Sequence, residues 1–253
     1  MNRFSAALAI ACAFAPAAAL AQTQTFSPQQ REEIGTVVRE YLLTHPELLQ
    51  EVAAELDKRQ TVAAEARHKK AVKDNAETIL NSPRQVVLGN PQGDVTLVEF
   101  FDYNCGYCKQ AMADMMTLLK DDPKLRIVLK EFPVLGDGSV EAAQVAIAVR
   151  MQDKTGKKYL DFHQRLMGGR GEANRARAVA VAREVGMDMA RLEKDIASDE
   201  PRATLAESFH IAEELGLNGT PSYIVGENVM IGAVGLKALQ ERINTTRCGK
   251  AVC

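Results

Sequence analysis

The chain has 253 residues, 46% of them hydrophobic and 25% charged, with a formal net charge of −2. That suits one large or two modest globular domains, and with no basic stripe it gives no support to a nucleic-acid partner. Five cysteines in this length are too few for a disulfide-built scaffold, so a hydrophobic core must carry the fold.

The opening stretch MNRFSAALAIACAFAPAAALAQ has Arg3 as a positive start, an apolar segment from Ala6 to Ala15, and a small-x-small site at Ala19-Leu20-Ala21. This is the pattern of a secretory signal over residues 1–21, with cleavage after Ala21 and loss of Cys12. The run holds Pro16 and falls short of the roughly 20 strongly apolar residues that a membrane span needs. Cys105, Cys108, Cys248 and Cys253 remain, in a compartment that favours pairing of thiols.

Residues 22–85 read as a helical region. Ser27-Pro28 is a helix start, Thr44-His45-Pro46 a break, and Pro46-Glu47 a second start. No Gly or Pro interrupts the following residues up to Leu80, which predicts one helix about 50 Å long. Its apolar residues, Leu48, Leu49, Val52, Leu56, Val62, Val72, Ile79 and Leu80, form a thin stripe. So long a helix with so thin a stripe is seldom stable alone, which favours a stalk that makes the protein a homo-oligomer over a solvated helix lying on its own domain.

After Asn81-Ser82-Pro83 the pattern changes. Val86 onward gives a short strand, a turn at Asn90-Pro91-Gln92-Gly93, and a buried strand from Val95 to Phe101. A Cys-x-x-Cys and a helix follow, then the strand KLRIVLKEFP, an order that fits a βαβ unit. Residues 139–216 are helical again, broken by Gly, Asp or Pro. GTPSYIVGENVMIGAV then gives two short strands, and a last helix starts at Leu236.

Three readings of Cys105-Gly106-Tyr107-Cys108 compete. A zinc site needs four ligands, and His45, His68, His163 and His210 show no ligand spacing. A structural disulfide closing so short a loop contributes little chain entropy. A redox pair explains more. Cys105 falls at the start of a helix, where unpaired N–H groups and the helix dipole stabilise a thiolate. That makes it nucleophile and leaving group, and Cys108 one turn on can resolve a mixed disulfide. Gly106-Tyr107 lets the chain turn with one face open.

With FFDYNCGYC, KEFPVLG and GTPSYIVG in this order around a helical block, residues 86–247 resemble the thioredoxin-fold Dsb family of bacterial periplasmic thiol–disulfide oxidoreductases. The N-terminal extension resembles that of the suppressor-of-copper-sensitivity C group within it. The resemblance implies an α/β thioredoxin fold with an inserted helical block, preceded by a helical stalk, in a periplasmic protein without a cofactor or resident metal. It implies that Cys105 is the nucleophile, that Cys108 resolves, that Pro221 is a cis-proline beside them, and that the Thr220 backbone pairs with an extended substrate. Glu99 and Lys130 stand as charges in buried-looking strands, where unpaired charge is costly. The resemblance sets both near the disulfide, with Glu99 as proton acceptor for Cys108; a structural ion pair, or side chains reaching solvent at the strand end, is the alternative.

Gly106-Tyr107 and Thr220 resemble the isomerase branch more than the strong oxidants, and a stalk carrying several copies would hold misfolded chains multivalently. The implied partners are misfolded or disulfide-bonded exported proteins and a membrane thiol reductant, or oxidant, for recycling. A dedicated oxidase and a copper(I) carrier using the same thiolates are the alternatives. In the tail, residues 248–253, Cys248 and Cys253 form either a small disulfide or a mobile resolving or metal-binding pair.

Overall fold

A computed structural model describes residues 26–153 and 155–253. The expected signal segment, Cys12 and the Ala21 cleavage site lie outside the described residues. The chain divides into two compact units between Asp57 and Lys58.

In the first unit, helix α1 (Pro28–Thr44) has Pro28 in its first turn and a capping box. The Ser27 hydroxyl accepts from the Gln30 N–H at 3.2 Å, and the Gln30 side chain accepts from the Ser27 N–H at 2.9 Å. Ile34, Val37, Val38 and Tyr41 recur at helical spacing and are all exposed. Helix α2 (Glu47–Asp74) starts after Pro46, as the break predicts.

The unbroken helix expected up to Leu80 is corrected by the structure. α2 ends at Asp74, and a separate α3 (Ala76–Asn81) follows. Between them Asn75 turns its side-chain amide back onto the Ala71 carbonyl at 3.0 Å. A short amide that can bond its own backbone in this way competes with helix continuation, which needs no Gly or Pro. Val72 and Ile79 are buried against Val98, Phe100 and Val128, so the second unit reaches back to Lys58.

In the second unit, strands β1 (Val86–Gly89), β2 (Val95–Phe101), β3 (Leu125–Glu131), β4 (Ser222–Val225) and β5 (Asn228–Ile231) form one sheet in the order β1-β3-β2-β4-β5. Only the central β2–β3 pair is parallel. It is joined through α4 (Gly106–Asp121), the crossover that a parallel pair requires. β2 and β3 are buried along nearly their whole length because helices cover both faces. Leu97, Phe101, Ile127 and Leu129 face a core with α4 and α10 (Gly235–Cys248), while Val98, Phe100 and Val128 face a second core with Ile79 and α9 (Asp199–Glu214).

Between β3 and β4 lies the helical block: α5 (Asp137–Gln152), α6 (Lys157–Gly168), α7 (Arg175–Glu184), α8 (Met189–Ile196) and α9. α5 is buried on every side through Ala142, Val145, Ala146, Ile147 and Val149, as suits the block's central helix.

Gly93 sets the entry to β2. A Cβ there would lie 2.7 Å from the Arg126 nitrogen and closer still to the Lys124 carbonyl. Gly93→Ala is expected to cost about 2 kcal/mol in urea unfolding, since rigid backbone must shift. Wild-type stability in that variant would show that the approach is not tight.

Candidate functional site

The site is built where β2 runs out. Asp102, Tyr103 and Asn104 turn the chain, with the Asp102 carboxylate accepting from the Asn104 N–H at 2.7 Å. The Asp102 carbonyl accepts from the Cys105 N–H at 3.1 Å. Cys105 is then the N-cap of α4, and its Sγ accepts from the Cys108 N–H at 3.4 Å. An acceptor at this position is favoured both by unpaired N–H groups and by the helix dipole. Both cysteines are free thiols. Cys105 is 6% exposed and Cys108 only 1%, so the first alone has an edge open to a partner.

The end of the sheet supplies the other wall. Thr220-Pro221 is a cis peptide bond immediately before β4. The Cys105 thiol donates to the Thr220 carbonyl at 3.2 Å. Cys105, Cys108 and the cis Thr220-Pro221 bond are thus brought together in one place. Tyr107 is 65% exposed at the rim. A Cβ on Gly106 would meet nothing within 4 Å, so the space over the Cys105–Cys108 turn is open.

Glu99 reaches the same site from the sheet. β2 is pleated, so Glu99 shares the face of Leu97 and Phe101, which is the face of the two cysteines. Burial first, and then the Asp114 charge, pushes its carboxyl up from 4.5 to about 8. Burial pushes the Cys108 thiol up as well; the Asp102 N–H and the Thr220 hydroxyl favour its thiolate, and the Glu99 charge opposes it. Tyr223, directly across the ladder from Glu99, is raised by burial and by Glu99 and Cys108. These three groups form one electrostatically coupled cluster.

Lys130 is not brought to the disulfide. It pairs in register with Phe100, not with Glu99, and so projects from the opposite face. Its Nζ donates to the Thr78 carbonyl at 2.8 Å and lies 3.5 Å from Glu207. Burial lowers its ammonium to about 8 against the pull of Glu207. The expectation that Lys130 lies near the cysteines is corrected by strand parity: the next residue, Glu131, holds the cysteine-side position instead.

Several groups escaped the sequence reading. Glu131 accepts from the Tyr159 hydroxyl at 2.7 Å, and the chain continues through Tyr103 to His163, all buried. Burial drives His163 down to about 3, so it is neutral. The Asp102 carboxylate accepts from the Val134 and Leu135 N–H groups at 2.8 and 2.9 Å and from the Ser139 hydroxyl at 2.7 Å. Asn104 exchanges two hydrogen bonds with the Ala173 backbone, at 2.9 and 2.7 Å. An Asp and an Asn within three residues after a buried strand are an Asx-turn signal that could have been read. Their long-range partners could not.

At the other end of α10, Cys248 and Cys253 are joined in a disulfide with Cα atoms 6.2 Å apart. The tail is further held by the Asn244 amide, which donates to the Ala251 carbonyl at 3.0 Å.

With this geometry in place, comparisons with known proteins are informative. Residues 96–244 match the DSBA-like thioredoxin domain, and residues 30–63 match the copper resistance protein ScsC N-terminal domain. The crystal structure of a thioredoxin-like oxidoreductase from Silicibacter pomeroyi DSS-3 is 45% identical, covers 68% of this chain and 98% of its own, and superposes with a TM-score of 0.65. The thiol-disulfide exchange protein alpha-DsbA2 from Wolbachia pipientis is 28% identical over 72% of this chain and 97% of its own, with a TM-score of 0.66. The Na(+)/H(+) antiporter NhaA 1 of Salinispora arenicola is 27% identical over 66% of this chain. This chain spans about a quarter of the length of the curated relatives it matches (25% and 24%). No described helix is long and apolar enough to cross a membrane.

Proposed function

Because the chain belongs to the DSBA-like thioredoxin domain family, we propose that it is a periplasmic thiol–disulfide oxidoreductase that acts on exported proteins mainly as an isomerase and reductase. The observation that carries this reading is the seating of Cys105 Sγ between the Cys108 N–H at 3.4 Å and the carbonyl of the cis Thr220-Pro221 bond at 3.2 Å.

The chemistry follows from the atoms. The Cys105 thiolate attacks one sulfur of a substrate disulfide; that S–S bond breaks, a mixed disulfide forms, and the other substrate sulfur leaves as a thiolate. In isomerisation, that freed thiolate attacks elsewhere in the substrate and a later exchange returns Cys105. In reduction, Cys108 passes its proton to ionised Glu99 and attacks Cys105 Sγ. The substrate then leaves with two electrons gained, and the Cys105–Cys108 pair is left oxidised. A carboxyl poised at about 8 can both take and return a proton near neutrality. A membrane thiol reductant would restore the dithiol.

The isomerase direction is favoured by Gly106-Tyr107 and Thr220, and by the first unit. The exposed row Ile34, Val37, Val38 and Tyr41 lies within the segment similar to the ScsC N-terminal domain. Such a row is the kind of surface copies of one chain use to associate, and several sites on one assembly would hold a misfolded protein at raised effective concentration.

Refolding of a scrambled multi-disulfide protein tests the reading. The wild type is expected to raise the native yield well above that of Cys105→Ala; equal yields would reject an isomerase. Val37→Glu with Tyr41→Glu is expected to convert an oligomer to a monomer in light scattering and to lower that yield. A wild-type monomer would remove the stalk argument and favour an oxidase. Tight, stoichiometric copper(I) binding without isomerase activity would instead favour the copper carrier.

A further inference from the structure

Asp102 is almost fully buried, yet its carboxylate serves no group that reacts. Its bonds hold the redox loop together and tie that loop to two other segments. One oxygen takes the Asn104 N–H and the Ser139 hydroxyl, each at 2.7 Å. The other takes the consecutive N–H groups of Val134 and Leu135 at 2.8 and 2.9 Å. Its carbonyl meanwhile holds the Cys105 N–H at 3.1 Å. One residue therefore ties the nucleophile's backbone to the loop leaving β3 and to the first turn of α5.

The loop so tied is short and apolar on its outside. Val134 is 40% exposed and Leu135 52%, although both are large aliphatic residues. Neither belongs to a buried hydrophobic cluster among the described residues, and the backbone N–H of each is held by the Asp102 carboxylate. Two N–H groups aimed at one buried carboxylate are charge-assisted bonds, of the stronger class. Removing the acceptor would leave both donors unpaired and free the loop.

We propose that Asp102 is a positioning residue for polypeptide capture: through Val134 and Leu135 it holds an apolar ledge at fixed distance from Cys105, onto which a disulfide-bearing chain docks. The proposal rests on the oxidoreductase reading above and adds to it a determinant of substrate class. A small disulfide reaches Cys105 without touching the ledge, whereas an extended chain cannot. The clamp acts on docking before any bond is exchanged, so its loss appears in KM.

Asp102→Asn keeps one acceptor oxygen for Asn104 and Ser139 but presents an NH2 to the Val134 and Leu135 donors. The experiment compares its turnover with an unfolded, disulfide-bonded polypeptide and with glutathione disulfide. The preference for polypeptide over glutathione disulfide is expected to fall about tenfold, carried by KM rather than kcat, as expected for losing two buried bonds that order a docking loop. Leu135→Ser, at an exposed position, is expected to lower the same preference without touching the carboxylate. It decides the matter if Asp102→Asn fails to fold. Equal loss on both disulfides in Asp102→Asn, or an unchanged preference in Leu135→Ser, would overturn the ledge. Failure of the wild type to exchange with either disulfide would instead reject the oxidoreductase reading itself.

Discussion

With Cys108 replaced by alanine, the protein is expected to accumulate as a covalent mixed disulfide with any substrate that carries a single disulfide. Cys108 is one helical turn from Cys105 and its N–H is already aimed at Cys105 Sγ. An intramolecular nucleophile so placed acts at an effective concentration on the order of 10^5 M or more, far above any thiol in solution. Without it, release should slow by about a thousandfold or more and depend on added thiol. A scrambled protein with several cysteines is a different case, because its own freed thiolate can displace Cys105. Cys108→Ala should therefore keep a measurable part of its isomerase activity while losing reductase turnover. Non-reducing gels and quenched-flow release rates read both effects. If the variant frees single-disulfide substrates as fast as wild type, Cys108 is not the resolving thiol.

Glu99→Gln is expected to have the largest effect on pH dependence. In the folded, reduced protein the Glu99 carboxyl is raised from 4.5 to about 8 by burial and by Asp114. A raised acid stabilises the fold fully below its unfolded value, and that stability is lost as pH rises toward the folded value. Between pH 4.5 and 8 the unfolded chain releases this proton while the native protein keeps it. The native state is therefore weakened by on the order of 4 kcal/mol across the interval. Glu99→Gln keeps the shape and removes the titration. It should be the more stable protein at pH 8, and its urea midpoint should change less between pH 5 and 8. On the proposed mechanism the same substitution deprives Cys108 of its proton acceptor, so the release of a trapped substrate should slow by about a hundredfold at pH 7. Parallel pH profiles of stability would show that Glu99 is not titrating in this range. An unchanged release rate would assign the proton to another acceptor.

Much of this site could be read from the chain because it is local. A buried strand, a tight turn and Cys-x-x-Cys at a helix start lie within fifteen residues, and local geometry follows from local sequence. Pro221 needed the resemblance, since Gly-Thr-Pro alone fits a trans turn equally well. Lys130 was misplaced because two adjacent charges, Lys130 and Glu131, end the same strand. Which of them faces the cysteines depends on register with β2, which is settled by pairing across the sheet. The break at Asn75 is invisible to a reading that looks for Gly and Pro. The Asp102 clamp joins residues over thirty positions apart, and the buried Tyr103, Tyr159 and His163 would each pass in sequence for ordinary core aromatics.

The central strand behaves as a reading frame for charge. Deleting one residue between Glu99 and Phe101 would turn the carboxylate over to the side where the Lys130 ammonium and Glu207 already balance each other. The cysteines would then lose the carboxyl that β2 turns toward them. The strand would still be apolar and still pair, so the fold is expected to survive a change that removes the proposed proton acceptor. In this molecule the count of residues from carboxylate to thiol therefore carries as much of the chemistry as their identity.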